Sequence, residues 1–202
     1  MEIVVGTWNT GKLAEMQQAL SKSHPEIQLP GITQYLATKT APPEIGTSYY
    51  ENALEKAQFY AKLIQRPVLA DDGGLELATF PELLGVHTSR FFKSTTDKEK
   101  NQELLALYNT PKLQDLKKRQ LTLHACLVYV TPEGQIISAE DSLFGYLVAP
   151  KGSGGYGFDS IFYLPDLDKT LAQLTNHKRN ALSPRVRALQ KIISQIKEQE
   201  ND

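Results

Sequence analysis

Two adjacent carboxylates follow a short apolar run in the first half of the chain, and this stretch constrains the fold most. Residues 68–70 are apolar, Asp71 and Asp72 come next, and two glycines precede Leu75. The pattern predicts a short buried strand that carries both carboxylates to its end, followed by a flexible turn. Because adjacent acids repel unless a cation or a proton lies between them, the pair indicates a cation site. A solvated Asp-Gly turn is the alternative interpretation.

Length and charge limit the classes of function. The 202 residues can form one domain or two small lobes that share a core, and we expect a single domain over residues 1–202. A net charge of −1 offers no broad surface for a nucleic-acid polymer or a membrane, so a phosphate-bearing partner should be small. No apolar run approaches the ~20 residues of a membrane helix, and no basic region typical of a signal peptide opens the sequence. We therefore expect a cytoplasmic protein.

The single cysteine, Cys126, lies in the apolar run over residues 121–130. One buried thiol excludes an intramolecular disulfide and suits a reducing compartment. We expect Cys126 to pack in the core, and a nucleophilic role beside the nearby His124 is the alternative.

The N-terminal segment predicts a strand, a turn and a helix. Residues 2–7 are β-branched and apolar and predict a central strand, while residues 12–20 carry apolar side chains at helical spacing. Amide groups at the start of such a helix form a ready phosphate site, and Lys12 is a candidate phosphate contact. An ordinary turn with a solvated lysine is the alternative.

The same turn matches part of a second motif. Gly6, Gly11 and Lys12 have the spacing of a P-loop, after a predicted strand and before a predicted helix. Leu13 stands where a P-loop needs Ser or Thr to hold magnesium, and Trp8 is bulky where the backbone must wrap a phosphate. A P-loop is therefore disfavoured.

Further helices are predicted by periodicity and by capping residues. The clearest helix covers residues 48–64, where one apolar stripe recurs in steps of three and four. Ser48 can cap it with Glu51 as the capping-box partner, and a metal-ligand role for Glu51 is the alternative. Residues 97–108 predict another helix, and Ser183-Pro184 is a strong start signal for the last one.

Two long β-rich runs, over residues 121–130 and 135–148, are joined by Pro132-Glu133-Gly134. This arrangement predicts a hairpin, and therefore a mixed sheet. Residues 150–159 combine four glycines with Tyr156, Phe158 and an acid, which is typical of a loop where a planar ligand meets backbone. A mobile surface loop would explain the glycines but not the aromatics.

Basic residues cluster around the start of the last predicted helix, at Lys178, Arg179 and Arg185. Positive charge at a helix N-terminus opposes the helix dipole, so an anionic or electron-rich partner is expected nearby. A solvated basic turn is the alternative.

Several segments, in chain order, carry a family resemblance. They are Thr7-Trp8-Asn9-Thr10-Gly11-Lys12, Glu44-Ile45-Gly46-Thr47, Glu51-Asn52-Ala53, Ala70-Asp71-Asp72-Gly73-Gly74-Leu75, Gly154-Gly155-Tyr156-Gly157-Phe158-Asp159 and Ser183-Pro184-Arg185. Together they resemble the inosine-triphosphate pyrophosphatases, which hydrolyse deaminated purine nucleoside triphosphates. The resemblance implies an elongated α/β fold with a central mixed β-sheet flanked by helices, and two lobes with a nucleotide-binding cleft between them. It also implies a homodimer.

The resemblance also implies roles for individual residues. Glu44 and Asp72 would hold Mg²⁺, with help from the neighbouring Asp71, and Asp72 would also accept the proton of the attacking water. Asp72 and Lys12 would be the catalytic residues. The implied substrate contacts are Thr7, Asn9, Lys12, Gly73, Tyr156, Gly157, Phe158, Asp159, Lys178, Arg179 and Arg185. Tyr156 would stack on the base, and Asp159 and Arg185 would contact its edge.

The sequence departs from the family pattern at four places. Gly73 replaces a serine, Pro184 replaces a histidine, Arg179 replaces a lysine, and Tyr156-Gly157-Phe158 reverses the two aromatics. The expected activity is Mg²⁺-dependent hydrolysis of ITP, dITP and XTP to the monophosphate and pyrophosphate. The alternatives are a nucleotide-binding protein with little turnover or altered base specificity, and a phosphohydrolase that releases orthophosphate.

Overall fold

The computed structural model describes residues 1–200, so residues 201 and 202 of the expected domain lie outside the described residues. Its six strands form one sheet with the order β1-β2-β3-β4-β5-β6. The first pair is parallel, whereas β5 is antiparallel to both of its neighbours, which confirms the mixed sheet. The strands are β1 (Val4–Val5), β2 (Val68–Leu77), β3 (Gln120–Val130), β4 (Ile136–Leu147), β5 (Phe162–Leu164) and β6 (Lys169–Thr170).

Within residues 1–200, six α-helices accompany the sheet and confirm the α/β class. They are α1 (Thr10–Ser23), α2 (Tyr49–Ile64), α3 (Thr88–Phe91), α4 (Asp97–Ala106), α5 (Asn176–Leu182) and α6 (Pro184–Glu200). The basic cluster that was expected to precede the last helix lies partly on α5, a separate short helix that the sequence pattern did not predict. None of the helices within residues 1–200 has both the length and the apolar character needed to cross a membrane.

The start of α2 is fixed by a capping box. Ser48 Oγ accepts a hydrogen bond from the Glu51 amide at 3.2 Å, and the Glu51 carboxylate accepts from the amides of Thr47 at 2.6 Å and Ser48 at 3.2 Å. These hydrogen bonds, led by those from Thr47, lower the pKa of Glu51. Glu51 therefore has the predicted structural role at this helix start.

Two expectations about the strands are wrong. Gly73 and Gly74 do not form a turn, because β2 continues through them to Leu77. Glycine weakens a strand without preventing it, and β2 has a neighbouring strand on each side. The short β1 is not central but stands at the end of the sheet order. Its Val5 forms an isolated parallel bridge to Gly31, and Glu2, before the strand, forms one to Gln28.

The chain divides into two compact units. The first unit contains residues 1–73, 125–141 and the described residues from Pro184 onwards, and the second contains residues 74–124 and 142–183. In the first unit, one apolar cluster joins α1 to α6 and another packs α2 against β1 and β2. In the second unit, one cluster gathers the apolar residues of α4 and β5. That these units form one domain with a nucleotide cleft stays a prediction.

Cys126 is a buried free cysteine in the apolar cluster that also contains residues of α2. Burial, more than the nearby carboxylates, raises the pKa of its thiol to about 11. At neutral pH the thiol is therefore protonated and unreactive, which confirms core packing over a nucleophilic role.

The capping box predicts the effect of a single substitution. Ser48→Ala should lower the free energy of unfolding by about 1 kcal/mol, because the Glu51 amide loses its acceptor. Urea unfolding of both proteins measures this difference. Ser21→Ala, which removes an exposed hydroxyl from the last turn of α1, is the control and should leave stability unchanged or slightly higher. Equal effects of the two substitutions would contradict a capping role for Ser48.

Candidate active site

The turn before α1 is held by hydrogen bonds of its own polar side chains. Asn9 caps the helix, since its Oδ1 accepts from the amides of Gly11 at 2.9 Å and Lys12 at 3.2 Å. Thr7 Oγ1 accepts from the Asn9 amide at 3.2 Å. The helix therefore begins at Thr10, earlier than the apolar spacing predicted. Two of the first amides of α1, those of Gly11 and Lys12, already donate to Asn9 and are not open to a phosphate in this conformation. Phosphate binding by this helix end stays a prediction.

Aromatic packing explains the glycine that opens this turn. A Cβ at Gly6 would lie 2.8 Å from a ring carbon of Tyr60, so only glycine fits. The Tyr60 hydroxyl accepts a hydrogen bond from Trp8 Nε1 at 3.0 Å and donates to the Thr40 carbonyl at 2.7 Å. Gly6 thus has a packing role, and Trp8 is fixed against α2.

Asp71 is buried and binds two cations through the same carboxylate oxygen. Its Oδ2 lies 2.9 Å from Lys12 Nζ and 3.0 Å from Arg185 Nε, and Arg185 Nη1 lies 2.6 Å from Glu15 Oε2. Burial would raise the pKa of Asp71, but Lys12 and Arg185 outweigh it and hold the pKa well below its usual range. The two cations therefore favour the ionised form of Asp71. Its Oδ1 is buried without a hydrogen-bond partner among the described residues.

Asp72 lies in a different environment. Its Oδ2 accepts a hydrogen bond from Asn52 Nδ2 at 2.9 Å, and its Oδ1 lies 3.6 Å from Lys56 Nζ. The same ammonium group is 2.6 Å from Glu44 Oε1, so one cation serves two carboxylates. Burial raises the pKa of Asp72 more than Lys56 and Asn52 lower it. A carboxylate with a raised pKa binds a proton more readily, as a general base must.

Strand geometry explains why neighbouring acids behave differently. Successive side chains of a strand point to opposite faces of the sheet. Leu69 packs in the cluster with α1 and α6, whereas Val68 and Ala70 pack in the cluster with α2. Asp71 accordingly meets Lys12 and Asp72 meets Lys56, so each acid has its own counter-charge.

Lys56 is a site residue that the sequence analysis missed. It is only 8% exposed, and burial would lower the pKa of its ammonium group. The three acids Asp71, Asp72 and Glu44 outweigh burial and raise that pKa, so Lys56 stays charged. The one local signal is that Lys56 lies four residues after Asn52 on the same face of α2, but this spacing does not reveal its partners Glu44 and Asp72.

The glycine-rich loop of the second unit is organised by Asp159. Its Oδ2 accepts from the Tyr156 amide at 3.2 Å and lies 3.5 Å from Arg179 Nε. A Cβ at Gly155, where φ is +74°, would clash with this carboxylate. Arg179 also donates to Asn176 Oδ1 at 2.7 Å. The expected anionic partners of the basic cluster are therefore present, at Asp159 for Arg179 and at Asp71 for Arg185.

The predicted site residues divide between the two units. Within the first unit, the structure brings Lys12, Asp71 and Arg185 into one ion-pair network and places Glu44 and Asp72 around Lys56. The first unit holds Thr7, Asn9, Lys12, Glu44, Asp71, Asp72, Gly73 and Arg185, and the second holds Tyr156, Gly157, Phe158, Asp159, Lys178 and Arg179. Their contacts with substrate, including a base contact by Arg185, stay predictions.

Comparison with known proteins relates the chain to one family. The model of the Ham1 family matches residues 3–195. The dITP/XTP pyrophosphatase of Halalkalibacterium halodurans is 36% identical over 194 residues, which covers 95% of this chain and 96% of that protein. The dITP/XTP pyrophosphatase of Geobacillus kaustophilus is 32% identical over 200 residues, covering 98% and 95%.

Solved structures agree with the family model. A HAM1 protein from Coxiella burnetii superposes with a TM-score of 0.82 at 32% identity, covering 98% of this chain and 99% of that one. The Ham1 protein of Staphylococcus aureus gives a TM-score of 0.78 at 28% identity, covering 99% and 100%.

The two neighbouring acids should differ in their effect on stability. Asp71→Asn should lower the free energy of unfolding by roughly 3–5 kcal/mol, because it leaves Lys12 and Arg185 without their buried counter-charge. Asp72→Asn should change it by less than about 1 kcal/mol, because the amide avoids the burial penalty of a charge and can still accept from Asn52. Denaturant unfolding at pH 7 measures both, and equal losses would contradict this assignment.

The lowered pKa of Asp71 predicts that the stability of the protein depends on pH. The pKa of Asp71 is lowered on folding, so its stabilising contribution is present above the unfolded pKa of about 4 and is lost as pH falls below it. Between pH 5 and pH 3, the wild-type protein should therefore lose more stability than Asp71→Asn does. Parallel curves for the two proteins would exclude this linkage.

Proposed function

Because the chain belongs to the Ham1 family, we propose that it hydrolyses non-standard purine nucleoside triphosphates to the monophosphate and pyrophosphate. ITP, dITP and XTP are the proposed substrates, and relatives that match nearly the full chain are named dITP/XTP pyrophosphatases. The observation that carries the proposal is the pair Asp71 and Asp72, one held ionised by Lys12 and Arg185 and the other with a raised pKa beside Lys56.

Magnesium is the proposed cofactor, and the acidic residues fit it. Glu44 and Asp72 already share one cation, the Lys56 ammonium, and Asp71 Oδ1 is a buried oxygen without a hydrogen-bond partner in residues 1–200. No group of three or more His, Cys, Asp or Glu among the described residues could hold a metal alone. Mg²⁺ is usually bound by one or two carboxylates together with substrate phosphates, so Glu44 and Asp72 would be its ligands, and Asp71, which meets Lys12 on the other side of β2, would help to hold it through its negative charge. When bound, it would neutralise phosphate charge and act as a Lewis acid.

The cations of the first unit suit a triphosphate. Several negative charges must be neutralised before water can attack phosphorus. The Lys12 side chain is 22% exposed at the N-terminus of α1, so its ammonium can reach a ligand while Asp71 fixes its position. Thr7, Asn9 and Gly73 are the further proposed phosphate contacts. Lys56, held by Glu44, adds a second fixed positive charge near Asp72.

Asp72 is the proposed proton acceptor. Its raised pKa favours proton uptake, and the hydrogen bond from Asn52 fixes the orientation of the carboxylate. As water attacks phosphorus, Asp72 would take one of its protons while pyrophosphate leaves with the electron pair of the broken P–O bond. The overall reaction consumes one water and yields one monophosphate and one pyrophosphate.

Base contacts are proposed for residues of the second unit. Tyr156 would stack on the purine, with Gly157, Phe158, Asp159, Lys178 and Arg179 around it, and Arg185 remains a proposed contact of the base edge. We also propose a homodimer, as implied by the family resemblance. A cytoplasmic location is proposed because a single buried cysteine, Cys126, suits a reducing compartment.

Product analysis tests the reaction. The protein, incubated with Mg²⁺ and ITP, dITP, XTP or ATP, should release pyrophosphate and monophosphate in equal amounts from the first three. Asp72→Asn should reduce turnover to near zero with the fold intact, whereas Asp166→Asn, at an exposed acid of the second unit, should be silent. Orthophosphate with diphosphate would support a phosphohydrolase instead. Tight nucleotide binding without any product would support a binding protein.

Lys12 is tested by steady-state kinetics. Lys12→Ala should raise the KM for ITP with a smaller change in kcat, because a phosphate contact made in both the ground and transition states is uniform binding. Arg185 remains to neutralise Asp71, so the variant should stay folded. An unchanged KM would mean that Lys12 serves only as the counter-charge of Asp71.

A further inference from the structure

Two side chains of helix α4 hold the turn that carries Tyr156. We propose that Asp97 and Asn101 are positioning residues, which fix the direction of the Tyr156 ring and thereby set the affinity for the nucleobase. The proposal rests on the proposed function, because it takes Tyr156 as the residue that stacks on the base. Neither Asp97 nor Asn101 was singled out by the sequence.

Both polar groups of one residue in the turn are bound by α4. Asp97 Oδ2 accepts from the Gly157 amide at 2.6 Å, and Asn101 Nδ2 donates to the Gly157 carbonyl at 3.0 Å. Asn101 Nδ2 also lies 3.2 Å from Ser160 Oγ, at the end of the loop. Residues four apart share one face of a helix, so a rigid element holds the peptide bonds on both sides of Gly157.

The conformation of Gly157 makes such a clamp necessary. Its φ is +62°, in the left-handed region, and a Cβ there would meet nothing within 4 Å. Glycine is therefore required for its backbone conformation and not for lack of space. Because glycine is also the most flexible residue, the direction in which Tyr156 leaves the turn would be poorly defined without external bonds.

The burial of Asn101 indicates more than a packing role. The residue is 4% exposed, and its Oδ1 is buried without a hydrogen-bond partner among the described residues. A buried polar atom without a partner is unfavourable, and an apolar side chain of similar size would avoid it. What asparagine supplies here, and an apolar side chain would not, is the amide donor that binds Gly157 and Ser160.

The turn separates the environments of its two aromatic residues. The Phe158 ring lies 5.7 Å from that of Phe92 and packs against the apolar cluster of the second unit. Tyr156 is partly exposed and is not among the residues of that cluster, while its amide is bound by Asp159. With Phe158 packed against the apolar cluster and Gly157 held by α4, the backbone from which the Tyr156 side chain leaves is fixed on its C-terminal side.

Hydrogen exchange tests the clamp without any catalytic assay. In Asp97→Ala and Asn101→Ala, peptides covering residues 154–160 should exchange faster than in the wild type. Asp97→Asn keeps an acceptor for the Gly157 amide and should restore slow exchange. Gln102→Ala, an exposed position on the same helix, is the control and should not change exchange. Unchanged exchange in both alanine variants would overturn the clamp.

Kinetics with ITP tests the consequence for the base. Asn101→Ala and Asp97→Ala should each raise KM roughly five- to tenfold with little change in kcat, as expected for the loss of a hydrogen bond that positions a binding group. Asp97→Asn should recover most of this loss. In a Tyr156→Ala background, the same substitutions should raise KM no further, because the residue through which they act is already absent.

The outcomes separate this inference from the proposed function. If Tyr156→Ala raises KM but the α4 variants do not, the positioning role is wrong while base stacking stands. If Tyr156→Ala leaves KM unchanged, base stacking by Tyr156 fails and the inference fails with it. Additive effects of Asn101→Ala and Tyr156→Ala would indicate that Asn101 acts on the fold and not through Tyr156, which would also overturn the inference.

Discussion

The ion pairs of Asp71 connect three separate segments of the first unit. Lys12 lies in the first turn of α1, Asp71 belongs to β2 and Arg185 belongs to α6, and the three side chains meet at one buried carboxylate oxygen of Asp71. A buried charge without any partner is strongly unfavourable, so at least one of the two cations must remain beside Asp71. The position of Lys12, and with it the candidate phosphate contact, therefore depends on a carboxylate that need not take part in proton transfer.

Because side chains alternate along β2, Asp72 lies in a different environment from Asp71. It faces α2, where Asn52 orients it and Lys56 supplies a charge that Glu44 shares. Burial then raises its pKa, whereas the paired cations lower that of its neighbour. One strand thus presents an acid with a lowered pKa to one side and a carboxylate with a raised pKa to the other. This separation is what a site needs if it must both hold phosphate charge and accept a proton.

Much of the fold was predictable because its signals are local. The apolar stripe and capping box of α2 and the turn between β3 and β4 depend on residues close in sequence, and both were found. The continuation of β2 through Gly73 was not, since it depends on neighbouring strands. Lys56 and Asn101 were missed for a similar reason. Their partners lie 12 or more residues away, so their burial cannot be inferred from periodicity alone.

The assignment of opposite roles to Asp71 and Asp72 can be measured directly by following the carboxyl ¹³C resonances of both residues against pH. We expect the Asp72 resonance to titrate above the usual range of an aspartic acid, and that of Asp71 to stay at its ionised position until the protein unfolds in acid. Substitution of each residue by asparagine assigns the two signals. Titration of Asp71 above Asp72, or of both near the ordinary value of about 3.9, would contradict the account.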